Sequence, residues 1–417
     1  MQELFFITER DDDLIGATAA RDPLGVLPIR SAKGRELVPH LTEQTTQAAG
    51  FELLITNLWL WSRFEAKYPQ FGSDLPAFYL VAEQAFAYAT RRMVGDWPLP
   101  GRRRVMALDD EPSVDLSAHE RRCHLMQNQL GNGTWGLYRS AAYRAGLLTQ
   151  WMDGLSPEVA EIFEKDPPLN RNQASKLVEL VREAFESEDR VATMSLHRNN
   201  TAIAQLAEII TTLPHAVLLQ KKIVLEHHRT RKLAKLLLES KRSLEATGYR
   251  RFLERAEKHF PEEVDKEALR NVVRCEELIA TVEQIFLWLC TKSGMSLREA
   301  ASALDTDLGA LREAHKRFLG SGYYPPGGPS ERWHLFADRL DLSDKDTLLE
   351  SLLEIHFKVA GDRGRSPWIE PDEGGRLVAD IDVDSVDDGP FVPGAVWTNS
   401  YYLSALESVA GRLEECL

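Results

Sequence analysis

The stretch His215–Ser240, HAVLLQKKIVLEHHRTRKLAKLLLES, has the pattern of an amphipathic α-helix. Wound at about 100° per residue, it separates an apolar half from a basic half. The apolar half carries Leu219, Ile223, Leu233, Ala234, Leu237 and Leu238. The basic half carries Lys221, Lys222, His228, Arg229, Arg231, Lys232 and Lys235. The stretch therefore predicts a helix that buries one side in a core and presents cations on the other.

Helical periodicity runs through most of the chain and favours a mainly α fold. At 417 residues the chain exceeds one usual core, so we expect a multi-helix protein of two to three domains, with a small β element near the C-terminus. That element is predicted from Arg376–Val383, where apolar and polar residues alternate. The predicted domains are residues 1–155 (N-terminal and helical), 156–292 (central, with the basic helix) and 293–417 (C-terminal, with the β element).

Residues 21–39, RDPLGVLPIRSAKGRELVP, interrupt the helical pattern with three prolines and two glycines. Proline fixes φ and pushes the preceding residue out of the helical region, so the stretch predicts an extended arm. It is too apolar for a free linker. We expect its apolar residues to pack against the first long helix, Glu43 to about Lys67, or against a partner protein.

The charge of the chain is unevenly distributed. It contains 50 Lys+Arg and 64 Asp+Glu, a net charge of −14. Between Lys221 and Lys258 there are twelve Lys/Arg and five Glu, a balance of +7, so the remaining 38 basic and 59 acidic residues give −21. A basic block in an acidic protein indicates a surface for a polyanion such as nucleic acid. An acidic protein partner and simple solvation of the helix are the alternatives.

A second candidate for nucleic-acid contact is SLREAASALDTDLGALREAHKRF, residues 296–318, which resembles a helix-turn-helix. Its Ser296 and Glu299 match a capping box, and its second helix would present Arg312, His315, Lys316 and Arg317. A plain helical hairpin is the alternative. Together the two regions give the predicted nucleic-acid-binding residues: Lys221, Lys222, Arg229, Arg231, Lys232, Lys235, Lys241, Arg242, Arg250, Arg251, Arg312, Lys316 and Arg317.

Four weaker patterns would indicate metal binding, anion binding or catalysis. A helix predicted over Ser117–Leu130 would place His119 and Cys123 one turn apart, a spacing that can hold part of a metal site. His356-Phe357-Lys358, followed by Asp362, resembles the H-x-K-x4-D motif of phospholipase D-like phosphodiesterases, one residue short and in a single copy. The remaining two are a carboxylate cluster for Mg²⁺ (Asp380, Asp382 and Asp384) and a glycine-rich anion loop (Asn132–Ser140).

The cysteines and the apolar runs bear on the cellular compartment. Cys123, Cys275, Cys290 and Cys416 form no C-x-x-C pair, which favours reduced thiols. The apolar runs Leu53–Trp61 and Leu278–Cys290 are too short to span a membrane. We therefore expect a cytoplasmic protein without a membrane partner.

These features together favour a non-enzymatic adaptor subunit without a cofactor or a bound metal. We expect it to bind DNA without sequence preference, together with one or more protein subunits. The expected setting is a bacterial DNA-handling or phage-defence (antiviral) complex. Two alternatives stay open: a metal-dependent phosphodiesterase or nuclease that uses the C-terminal carboxylates, and a pure protein–protein scaffold.

Overall fold

The computed structural model describes residues 22–108, 111–240, 248–321, 328–381, 386 and 388–416. This part of the chain is mainly helical and has a small sheet near the C-terminus, so the predicted fold class is confirmed. Contacts divide the chain into two compact units of two segments each. Unit 1 comprises Met1–Leu37 and Ser240–Leu403, and unit 2 comprises Val38–Glu239 and Ser404–Leu417. The division into 1–155, 156–292 and 293–417 stays a prediction.

The first helices, in chain order, are α1 (Leu27–Leu37), α2 (Ala48–Lys67), α3 (Leu75–Val94), α4 (Arg102–Met106), α5 (Gln129–Asn132), α6 (Thr134–Arg144), α7 (Pro157–Lys165), α8 (Arg171–Glu186) and α9 (Thr201–Thr212). They are followed by α10 (Ala216–Leu219), α11 (His228–Glu239), α12 (Gly248–Glu257), α13 (Glu263–Cys290), α14 (Leu297–Ala303), α15 (Leu308–Leu319), α16 (Gly328–Arg339), α17 (Lys345–Asp362) and α18 (Leu403–Glu415). Short 3₁₀ helices cover Pro69–Phe71 and Arg121–Cys123, and a π-helix covers Gln220–Leu225. The strands are β1 (Ser113–Leu116), β2 (Ala192–Ser195), β3 (Ile369–Pro371) and β4 (Leu377–Ala379).

Unit 1 is organised around α13, a helix of 28 residues that is buried on most of its surface. Helices α1, α12 and α15 pack on it, and α14 packs on α17. The core of this unit is built from aliphatic and aromatic side chains such as Val282, Phe286 and Leu352. The C-terminal sheet pairs β3 with β4 in antiparallel register, Glu370 opposite Val378. Helix α13 therefore provides the scaffold on which the predicted binding residues of this unit are mounted.

The extended conformation predicted for residues 21–39 is wrong, because Leu27–Leu37 forms α1. Pro28 lies in the first turn of the helix, where its missing N–H would have no helical acceptor, so it does not interrupt the helix. Leu24, Val26 and Ile29 are buried, as predicted for the apolar residues of this stretch. These side chains are core residues of unit 1, in which α1 packs on α13.

A buried ion-pair network fixes α1 on α13. Arg30 is 5% exposed, and its Nε donates to Glu276 Oε2 at 2.9 Å while its Nη1 lies 2.6 Å from Glu283 Oε2. Glu276 also accepts a hydrogen bond from the Tyr401 hydroxyl. Burial raises the pKa of Glu283 to about 7, although the Arg30 guanidinium opposes the shift. Buried charges are tolerated when they are paired and hydrogen-bonded in this way.

Unit 2 is built on α2, α3 and α9. The apolar face predicted for the first long helix is confirmed as buried: Phe51, Leu54, Ile55, Leu58, Trp59 and Trp61. Helix α3 packs on both α2 and α9. The prediction of a helix over Ser117–Leu130 is wrong, since that stretch contains only a 3₁₀ turn and the start of α5.

This stretch follows strand β1, which pairs with β2. The register, Val114 opposite Met194, joins residues about 80 positions apart in the chain.

The basic stretch lies in unit 2 up to Glu239 and is helical in three segments, namely α10, the π-helix Gln220–Leu225 and α11. A π-helix takes more residues per turn than an α-helix, so a wheel drawn at 100° misplaces side chains in and after it. Upstream, Thr201–Leu225 is long and apolar enough to cross a membrane by length and composition, and 56% of its most apolar window is buried. One such stretch is weak evidence for a membrane, because core helices of soluble proteins meet the same criterion.

Candidate nucleic-acid interface

The two lysines that begin the basic stretch are paired with carboxylates of unit 2. Lys221 Nζ lies 2.9 Å from Glu158 Oε1, and Lys222 Nζ lies 2.7 Å from Glu158 Oε2. Lys222 is buried and also contacts Glu226 at 3.0 Å. Hydrogen bonds from Lys222 and Lys221 lower the pKa of Glu158 to about 2. Lys222 is thus committed to an internal ion-pair cluster, whereas Lys221 remains 56% exposed at its edge.

Helix α11 carries the next four predicted cations, and they differ in exposure. The wheel placed Arg229 on the outer half, but the structure buries it. Lys232 is half-buried, whereas Arg231 and Lys235 are exposed one turn apart on the same face. Lys235 Nζ lies 3.8 Å from Glu239 Oε1, and no carboxylate among the described residues lies within 4 Å of Arg231. The exposed cations of unit 2 are therefore fewer than the sequence predicts.

Arg231 and Lys235 line a groove of about 450 Å³ that sequence reasoning missed. The π-helix contributes Val224 to its wall, and α18 contributes Ala410 and Glu414. No local signal finds it, because α18 follows α11 by more than 160 residues. The groove has an apolar floor and charges of both signs at its rim, so by itself it specifies no ligand.

In unit 1 the structure brings Arg250 and Arg317 together on one carboxylate. Arg250 Nη2 lies 2.8 Å from Glu277 Oε1, and Arg317 Nη2 lies 3.0 Å from Glu277 Oε2. Arg250 Nη1 also donates to the Gly394 carbonyl at 3.1 Å. Because each arginine keeps a charged partner, this cluster fixes α12, α13 and α15 to one another. Part of the charge of both guanidinium groups is therefore already compensated within unit 1.

The outer face of α12 carries a row of exposed cations: Arg251, Arg255 and Lys258, the last of them one residue beyond the end of the helix. Their spacing of four and three residues places them on one face. The opposite face is buried and includes Phe252 and Leu253. No described carboxylate pairs with any of the three cations. We call this set the α12 row; Lys241 and Arg242, predicted just before it, lie outside the described residues.

The hairpin predicted over Leu297–Leu319 is present as α14 and α15, and its capping box at Ser296 and Glu299 is confirmed. The side chains expected to reach DNA are largely engaged within unit 1. Arg312 donates to the carbonyls of Leu342 and Ser343, at 2.8 and 2.6 Å. His315 Nε2 lies 3.2 Å from the Ala337 carbonyl, whereas Lys316 is exposed. The contacts of this hairpin are thus those of a packing element.

The predicted metal and carboxylate patterns gain no support. His119 and Cys123 do not lie on one α-helix, and burial raises the pKa of the Cys123 thiol. Within the described ranges no group of three or more His, Cys, Asp and Glu side chains can hold a metal ion. In the C-terminal carboxylate cluster, Asp380 follows β4, while Asp382 and Asp384 lie outside the described residues.

His356, the histidine of the phosphodiesterase-like pattern, has a structural role. It is 2% exposed, and its Nδ1 lies 2.9 Å from the Pro23 carbonyl, to which it must donate. Its Nε2 therefore accepts the Trp368 N–H, at 2.7 Å. Burial lowers the pKa of His356, consistent with this neutral tautomer. With both ring nitrogens bonded, the histidine is not poised as a nucleophile.

The glycine-rich anion loop is already occupied by a carboxylate of unit 2. Glu83 Oε1 accepts hydrogen bonds from the Thr134 N–H at 2.8 Å and from the Thr134 hydroxyl at 2.5 Å, and its Oε2 accepts one from Gln129. Burial raises the pKa of Glu83, and the hydrogen bond from Thr134 opposes the shift. A Cβ on Gly133 would lie 2.3 Å from the Gln129 carbonyl oxygen, so this close approach requires glycine. The loop therefore caps a helix with an internal anion.

No family model, no curated protein and no solved structure matches this chain.

Proposed function

We propose that this protein is a non-enzymatic adaptor that binds DNA through the phosphate backbone, without sequence preference, and that also binds a partner protein. The observation that carries the proposal is the α12 row, three exposed cations on one helix face. Such a row displaces counterions from a phosphate backbone, a source of affinity that depends strongly on salt. Phosphates carry no sequence information, so the contact is indifferent to base order.

The two acidic residues of α12 form their ion pairs with arginines outside the α12 row. Glu254 pairs with Arg250 at 3.0 Å, and Glu257 pairs with Arg270 at 2.7 Å. Both glutamates are thus held by arginines that lie outside the row. The three cations of the row have no ion-pair partner among the described residues, in a protein whose net charge is −14. A local charge opposite in sign to the whole chain supports docking of a polyanion at that place.

Arg231 and Lys235 on α11 form a second, smaller contact surface in unit 2. Both are exposed, and Lys235 has only a long contact with Glu239. The arginines that hold Glu277 belong to the scaffold and contribute little to binding, because breaking a buried or half-buried ion pair offsets the gain from a phosphate contact. The bacterial DNA-handling or phage-defence setting stays a prediction, since no contact bears on it.

Fluorescence anisotropy with labelled duplexes tests the proposal. Two duplexes of equal length and unrelated sequence should bind the full-length protein with equal affinity, and the affinity should fall steeply between about 50 and 200 mM salt. Single-stranded DNA and RNA of the same length extend the comparison. Absence of binding to every nucleic acid at low salt would reject the proposal and reassign the basic surfaces to an acidic protein.

A further inference from the structure

The outer edge of β2, in unit 2, is paired with no strand of the described residues. In the antiparallel register Met194 lies opposite Val114, and the Leu196 N–H donates to the Pro112 carbonyl at 2.7 Å. Because bonded and non-bonded pairs alternate along such a ladder, the backbone groups of Thr193 and Ser195 face away from β1. The sheet has two strands, so no described strand lies on that side.

The described residues leave the backbone groups along this edge almost without hydrogen-bond partners. Thr193 and Ser195 are both exposed. The Ser195 carbonyl accepts one long hydrogen bond, 3.4 Å, from the Asn200 side chain. No described residue bonds the Thr193 N–H, the Thr193 carbonyl or the Ser195 N–H. An exposed strand edge of this kind is a template for pairing with another extended chain.

A groove of about 280 Å³ runs beside the open edge, between β2 and the helices α8 and α9. Its floor is apolar and is lined by Leu177, Leu180, Met194, Ile203 and Leu206. Strand side chains alternate between two faces, so an extended peptide paired with β2 would direct every second side chain into this floor. The edge and the groove are independent features, and both fit one peptide.

The charge of the groove selects among peptides. Among the described lining residues, Lys176 is the one that carries a charge, and it is exposed on α8. A carboxylate on the peptide, either an acidic side chain or a chain terminus, would complement it. One cation beside an apolar floor does not suit a phosphate backbone, which requires several cations in a row. The chemistry therefore favours a protein segment over a nucleic acid.

We propose that β2 binds an extended segment of a partner protein as a third strand of the sheet. The segment places alternate apolar side chains in the groove lined by Leu180 and Ile203 and a carboxylate next to Lys176. Main-chain hydrogen bonds to Thr193 and Ser195 supply affinity, and the groove supplies specificity, as in other strand-addition interfaces. This interface lies apart in sequence from the α12 row and does not rest on DNA binding.

A phage-displayed library of random nine-residue peptides, selected on immobilised full-length protein, tests the proposal. Ser195→Pro removes an outward N–H from the edge, where proline is tolerated in a strand. Ser113→Pro is its matched control, because Ser113 opposes Ser195 in a non-bonded pair and its N–H faces the other side of the sheet. Leu180→Arg blocks the groove at a half-buried position and is the second variant should the proline disturb the fold.

The enriched peptides should alternate apolar with polar residues and carry an acidic group. Synthesised and labelled, they should bind Ser195→Pro and Leu180→Arg about tenfold more weakly than the wild type, the loss expected for one hydrogen bond or one apolar contact, and Ser113→Pro unchanged. If the library yields no enriched peptide, or if the enriched peptides bind all three variants as tightly as the wild type, the interface is refuted.

Discussion

Neutralising the α12 row should flatten the salt dependence of DNA binding. The perturbation is the triple variant Arg251→Gln, Arg255→Gln and Lys258→Gln. The side chains are exposed, and the face of α12 that packs on α13, with Phe252 and Leu253, is untouched. Surface substitutions of this kind change stability by about 0.5 kcal/mol or less, so the fold should be retained.

The size of the effect follows from the number of cations. Each phosphate contact contributes about 0.9 to the slope of log affinity against log salt on duplex DNA, so three contacts contribute about 2.7. Over a fourfold rise in salt, from about 50 to 200 mM, the wild type should therefore lose roughly 40-fold more affinity than the variant. Anisotropy titrations at four or more salt concentrations give the slope directly.

A control with the same change in charge separates the row from the net charge of the protein. Lys165, Lys266 and Lys358 each pair with a carboxylate three or four residues away on their own helix, at 2.6, 3.9 and 2.5 Å. The triple Lys→Gln variant at these positions should keep a slope close to that of the wild type. Equal slopes for wild type and the α12-row variant, or equal losses for both triple variants, would refute the reasoning.

Two further predictions concern buried charges. Arg30→Met leaves the buried Glu276 and the partly buried Glu283 without their cation and should lower the free energy of unfolding by about 3–5 kcal/mol. Arg35→Met in the same helix should cost under about 1 kcal/mol; both values are read from urea denaturation. His215 donates hydrogen bonds to Glu52 at 2.7 Å and to the Asp166 carbonyl at 3.0 Å. Burial lowers the pKa of His215, but the hydrogen bond to Glu52 outweighs this effect and raises the pKa above 6.5. The ion pair therefore contributes its full stability below pH 6.5, and this contribution is lost as the pH rises through the folded-state pKa of His215, so Tm should decline. Glu52→Gln should abolish this decline in Tm between about pH 5 and 9. An unchanged decline in the variant would contradict the assignment.

The parts of the fold that the sequence predicted are those set by local interactions. Helices α14 and α15 and the capping box before them depend on residues within four positions of one another, and they were predicted to within a residue or so. Helix α1 was mistaken for an extended arm because Pro28 was taken as an interruption, although a proline in the first helical turn loses no hydrogen bond. The pairing of β1 with β2 was missed because it joins residues about 80 positions apart.

The candidate interface was only partly predictable for the same reason. The helical wheel over His215–Ser240 correctly exposed Arg231 and Lys235, but it also exposed Arg229, which is buried. The pairing of Lys222 with Glu158 does not follow from helical periodicity, because the two residues are 64 positions apart and on different helices. The number of charged residues can be read from the sequence, but the ion pairs that neutralise some of them in the folded protein cannot. Identifying the unneutralised ones required the three-dimensional contacts.

The interleaved order of the two units has a consequence for synthesis on the ribosome. Helix α1 packs on α13, which is translated some 230 residues later. Similarly, α18 is translated last although it forms one wall of a groove in unit 2, a unit that starts at Val38. At about 5–20 residues per second, α1 waits roughly 10–50 s for its partner helix. During that interval Ile29 of α1, and Leu24 and Val26 just before it, are exposed to chaperones and proteases. A chain interrupted before α13 can complete neither unit, so nascent fragments should be cleared rather than accumulate.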